Sequence, residues 1–131
     1  MKIAIIGSAI REVNNKNIIL AKKIGKILSN EKCTILTGAS IGLPHEIVLE
    51  AKKYGAFTIG YYPTKNEKEL INHCDLEKIQ DFNKIYFEKG FTKRSLKMIE
   101  NSDAIIVLSG RMGTLSEFAI AFEERKPIVV F

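Results

Sequence analysis

The chain has 131 residues, 46% of them hydrophobic and 27% charged. That is enough for one buried core, too little for two, and outside the composition of disordered chains. No apolar run approaches the roughly 20 residues of a spanning helix, and MKIAIIGS is too short in its apolar stretch for a signal peptide, so a cytoplasmic location is the expectation. The net charge of +5, from 20 basic against 15 acidic residues, suits an anionic ligand.

Lys2 to Ile6, KIAII, is an apolar β-branched run ended by Gly7 and Ser8, the pattern of a buried strand. Asn17 to Ser29 places Leu20, Ala21, Ile24, Ile27 and Leu28 at helical spacing, with lysines on the other face. Cys33 to Leu36 predicts a second strand, closed by Thr37-Gly38-Ala39-Ser40. Pro44 suits the first turn of a helix carrying Ile47, Val48 and Ala51 and ending near Gly55. Phe57 to Tyr61 predicts a third strand. Thr64 to Gly90 is polar and weakly periodic and yields no firm element. Thr92 to Asn101 predicts a helix, Ala104 to Leu108 a strand, Thr114 to Glu124 a helix and Pro127 to Phe131 a last strand.

Strands that are apolar throughout and alternate with helices imply an α/β domain with a parallel sheet covered on both faces. The expectation is one Rossmann-like, doubly wound domain over residues 1–131, with about five strands in the order 3-2-1-4-5. In that order the chain reverses between strands 1 and 4. Ligands of such folds bind outside the carboxyl ends of the strands at the reversal. Gly7-Ser8, Thr37 to Gly42 and Ser109 to Gly113 would all emerge on that edge.

Two readings fit LSGRMGTLSEF, residues 108–118. Gly110 and Gly113 can bring main chain close to a ligand, and the N-terminus of the following helix can hold a phosphate, with Arg111 and Thr114 adding donors. Equally, Thr114-x-x-Glu117 is a capping box, in which both side chains only satisfy backbone donors. Arg94, in the first turn of the preceding helix, would point a cation toward Glu117. Alternatively it pairs with a surface carboxylate. Tyr61, Tyr62, Tyr86, Phe87 and Phe91 could stack on a base, or anchor the irregular segment to the core. Cys33 reads as a small core residue, Cys74 sits in a polar stretch, and His45 and His73 have no ligand-like spacing, so no metal is expected. The lysines fall on helix faces rather than in a basic stripe interleaved with aromatics, so nucleic acid is not an expected partner.

The chain resembles the LOG family, the phosphoribohydrolases that activate cytokinins, and the wider Rossmann-like SLOG superfamily with its molybdenum-cofactor carrier proteins. Ser109-Gly110-Arg111-Met112-Gly113-Thr114-Leu115-Ser116-Glu117 matches the hallmark P-G-G-x-G-T-x-x-E at the outer glycines, the threonine and the glutamate. Arg94 and Met98 match an arginine four residues before a methionine. Gly7-Ser8 and Thr37 to Leu43 look like the family's G-S-S and G-G-G-x-x-G-L segments. The proline, the second glycine and one glycine of the second-strand loop are Ser109, Arg111 and Ala39 here.

The resemblance implies that Arg94 and Glu117 are the catalytic pair. It also implies that Gly7, Ser8, Gly38, Ser40, Gly42, Gly110, Arg111, Met112, Gly113 and Thr114 hold the phosphate and nucleotide. The implied reaction is hydrolysis of the N-glycosidic bond of a nucleoside 5′-monophosphate, giving free base and ribose 5-phosphate with no cofactor. The other implied role is a non-catalytic carrier of a nucleotide or molybdopterin-type cofactor. Family members are commonly dimers and continue through another helix beyond the last strand, so a homodimer or higher oligomer, without a membrane, is the expected state.

Overall fold

β1 (Lys2–Gly7) buries side chains on both of its faces, because alternate residues of a strand point in opposite directions. In the computed structural model, which describes residues 1–10, 14–70 and 79–131, Ile3 and Ile5 meet one helical layer and Ala4 and Ile6 meet the other. The first layer is α1 (Asn15–Asn30) and α2 (Leu43–Lys53), contributing Ala21, Ile24, Leu28, Ile47, Val48 and Ala51. The second is α4 (Phe91–Glu100) and α5 (Met112–Glu123), contributing Met98, Ile99 and Ala121. Burying one isoleucine on each face of a central strand contributes on the order of 2 kcal/mol apiece.

The sheet is parallel throughout and has six strands in the order β4-β3-β2-β1-β5-β6. β2 (Thr34–Thr37), β3 (Thr58–Tyr62), β5 (Ala104–Leu108) and β6 (Ile128–Val130) are the expected strands. β4 (Lys84–Phe87) is new. It lies in the segment that yielded no element, and it pairs Tyr61 with Tyr86 and Tyr62 with Phe87 on β3. The expected five-stranded order thus becomes a six-stranded one, with the added strand on the β3 edge and the reversal now between β1 and β5. β4 escaped sequence reading because it is a half-exposed edge strand of four residues, without the apolar run of a central strand. A one-turn α3 (Glu67–Leu70) and a 3₁₀ turn at Ile79–Asp81 belong to the crossover from β3 to β4. His73 and Cys74 lie outside the described residues.

The other starts follow local chemistry. Asn14 caps α1, its side chain accepting from the Lys16 N–H at 2.9 Å. Pro44 sits in the first turn of α2, where its missing N–H costs nothing. Cys33 is buried immediately before β2. Among the described residues no helix is long and apolar enough to cross a membrane.

Candidate functional site

Arg94 enters the molecule from the first turn of α4, which begins after Gly90, and only 6% of it is exposed. Its Nη1 donates to Oε1 of Glu117, on α5, at 2.9 Å. Ser95 Oγ donates to the same oxygen at 2.8 Å, and Ser95 is 5% exposed. The guanidinium lies against the exit of β2: a Cβ on Gly38 would stand 1.9 Å from Nη1 and 2.7 Å from Cζ. Burial pushes the guanidinium below its usual range, while the Glu117 charge and hydrogen bond pull it back up. Arginine remains a cation at neutral pH in either case. Its Nε is buried without a hydrogen-bond partner among the described residues.

The N-terminus of α5 is built by a loop that leaves β5 through Ser109, at φ +53°, and Gly110, at φ +151°. Proline could not adopt the Ser109 angle, since its ring holds φ near −65°, so serine here goes with a different entry to the loop from that of the P-G-G hallmark. A Cβ on Gly110 would fall 2.4 Å from the Thr114 side chain. Thr114 Oγ1 instead donates to the Gly7 carbonyl at 3.1 Å, tying α5 to the end of β1. That overturns the capping-box reading. The helix starts at Met112, its cap position is Arg111 with no side-chain cap bond, and Glu117 is held by Arg94 and Ser95.

The first turn of α2 is closed to ligands. Leu43 N–H donates to the Ser8 carbonyl, His45 and Glu46 N–H both donate to the Gly42 carbonyl, and Pro44 has no N–H. Gly42, at φ +90°, packs its Cα against the Ser8 carbonyl, where a Cβ would stand 2.1 Å away.

Between these elements lies a cavity of about 270 Å³, near the lower end of small-molecule sites. Gly7, Gly38, Ser40, Arg94, Arg111, Gly113, Thr114 and Glu117 line it, and Ile10, Pro44 and Phe91 form an apolar wall. Eight of the residues expected from sequence therefore share one space. Ser8 and Gly42 do not line it; the Ser8 carbonyl accepts from Leu43 N–H and the Gly42 carbonyl from the first turn of α2. Gly110 lines a neighbouring open hollow with Leu115, Phe118 and Val130, and Met112 is 76% exposed outside both.

A family model described as the SLOG cluster4 family matches residues 1–131. The chain belongs to the SLOG cluster4 family. An uncharacterized protein of Archaeoglobus fulgidus is 28% identical to this SLOG cluster4 chain over 128 residues, 98% of the chain and 78% of that protein. Among solved structures, the molybdenum cofactor binding protein of Rippkaea orientalis matches with a TM-score of 0.81 and 24% identity over 98% of this chain and 74% of its own. The molybdenum cofactor carrier protein of Chlamydomonas reinhardtii matches with 0.79, 24%, 98% and 74% in the same terms. DNA processing protein A of Helicobacter pylori, whose single-stranded DNA binding mode is described, matches with 0.77 and 22% over 99% of this chain and 64% of its own. At these identities the likeness is one of fold.

Sequence reasoning missed Ser95 in this SLOG cluster4 site. A serine following an arginine on a helix carries no motif, and only the approach of α5 to α4 brings Glu117 to it. The aromatics divide. Tyr62 packs on Phe82 and Phe87, and Tyr61 stacks on Tyr86 at 5.1 Å, so these anchor the β3–β4 edge to the core. Burial pushes the Tyr61 hydroxyl up to about 12, which removes it from acid–base work near neutrality. Phe91 is exposed and lines the cavity, with its ring 5.7 Å from Arg94 Cζ.

Proposed function

We propose that this protein hydrolyses the N-glycosidic bond of a nucleoside 5′-monophosphate, with Arg94 and Glu117 as its catalytic pair. The observation that carries the reading is a carboxylate bound to a buried arginine on the same cavity as the uncapped N-terminus of α5. The phosphate binds at that N-terminus, where first-turn N–H groups and the helix dipole favour an anion and Arg111 adds a cation. Glu117 lies four residues further along α5 than Gly113, about 6 Å of rise, a separation that a ribosyl group spans.

In that pose the base lies toward Ile10, Pro44 and Phe91. As the C1′–N bond lengthens, positive charge grows on the ribosyl ring, and the Glu117 carboxylate stabilises it. Water adds its oxygen to C1′, Glu117 takes one of its protons, and that proton ends on the departing base nitrogen. Arg94 orients the carboxylate for this task through its 2.9 Å bond to Oε1.

The test is chromatography of a panel of nucleoside monophosphates incubated with wild type and Glu117→Gln. Wild type is expected to release base and ribose 5-phosphate from at least one of them, and the variant to be slower by about 10²–10⁴-fold. Nucleotide binding without base release from any member would refute the hydrolase. It would favour the second reading, a carrier, toward which the solved neighbours named as molybdenum cofactor proteins point. In a carrier the Arg94–Glu117 pair serves as a strut between α4 and α5.

A further inference from the structure

Two donors converge on one oxygen of Glu117. Arg94 Nη1 at 2.9 Å and Ser95 Oγ at 2.8 Å both reach Oε1, and both donors are more than nine-tenths buried. An ionised carboxylate oxygen offers about two lone-pair sites, so these bonds saturate Oε1. Oε2 has no hydrogen bond from the described residues, and the Glu117 side chain borders the cavity.

Such a pair has another arrangement open to it. Arginine and carboxylate often engage in a fork, two parallel bonds that occupy both carboxylate oxygens, and the terminal torsion of glutamate is broad enough to allow it. Here the Ser95 hydroxyl holds Oε1 from a second direction and fixes the plane of the carboxylate. We propose that Ser95 is a positioning residue, which prevents Arg94 from forking Glu117 and so keeps Oε2 open to the ribosyl group of the substrate. This inference rests on the hydrolase reading and adds a residue that the motif does not contain. Ser95 itself touches no substrate. It acts through Glu117.

The experiment compares wild type, Ser95→Ala and Ser95→Thr for base release, with thermal melting as the check on folding and calorimetric titration of ribose 5-phosphate and of inorganic phosphate as a second readout. Ser95→Ala is expected to lower kcat by about 10- to 100-fold, the effect of one hydrogen bond to a charged group, with KM within about twofold because the phosphate and base contacts persist. Ser95→Thr, which keeps the hydroxyl, is expected to recover most of the loss. Equal kcat in wild type and Ser95→Ala overturns the positioning role and leaves the hydrolase standing. So does a threonine variant that melts like wild type but is as slow as the alanine variant, and so does a kcat loss matched by a rise in KM and a lower melting temperature. Where wild type releases no base at all, the hydrolase itself fails and the titrations decide for Ser95. Weakened binding of ribose 5-phosphate with unchanged phosphate binding in Ser95→Ala keeps the positioning role. Equal weakening of both, or of neither, overturns it.

Discussion

A Cβ at position 38 would fall inside van der Waals contact of three atoms of the Arg94 guanidinium, the nearest 1.9 Å away. The glycine is therefore required by a neighbouring side chain, since its own φ is not in the left-handed region. Gly38→Ala is expected to displace Arg94 and slow base release by about 100-fold, the cost of misplacing a catalytic group by roughly an ångström. The check is a double-mutant cycle: Gly38→Ala combined with Arg94→Ala should be no slower than Arg94→Ala alone, because both act through one contact. Additive losses would mean that Gly38 serves the site in some other way. From sequence, Gly38 read as a phosphate-loop glycine. Spacing along a strand exit cannot show that a side chain from a helix 56 positions later fills the space above it.

α5 shows how local pattern and tertiary bonding can disagree. Thr-x-x-Glu predicts a cap, yet Thr114 lies inside the helix and its hydroxyl proton goes to the Gly7 carbonyl, at the end of a strand 107 residues away. Thr114→Val keeps the shape and removes the donor, leaving a carbonyl unsatisfied in a mostly buried place. We expect a loss of about 1–2 kcal/mol, seen as a lower urea midpoint with an unchanged slope. An unchanged midpoint would show that water replaces the hydroxyl. β4 illustrates the reverse case. Its local signal is weak because it is only four residues long and partly exposed, and pairing with β3 and the stacking of Tyr86 on Tyr61 make it a strand.

For the molecule as a unit, acid stability is expected to turn partly on His45, where α2 meets the 3₁₀ turn that precedes β4. Burial holds its imidazole below the ordinary histidine value of about 6.5, and Asp81, 3.7 Å from Nε2, pulls it partly back. Below that value the unfolded chain takes up the proton while the folded one resists, so unfolding is favoured as pH falls. The loss begins near pH 6.5 and levels off once the folded imidazole also protonates. Melting temperatures between pH 7.5 and 5.5 should therefore fall more steeply for wild type than for His45→Gln. Parallel curves would show that burial at His45 makes no contribution.

The apolar strands, their alternation with helices and the glycines at strand exits were enough to specify a doubly wound parallel sheet, its reversal point and the edge on which the cavity lies. These are properties of period and composition, and burial on both faces admits few alternatives to them. The sixth strand, the closure of the α2 N-terminus by the Ser8 and Gly42 carbonyls, and the pairing of Arg94 and Ser95 with one oxygen of Glu117 are of another kind. The contacts that decide them, β3 with β4, Leu43 with Ser8 and α4 with Glu117, join atoms far apart in the chain, and no periodicity along the sequence carries that information.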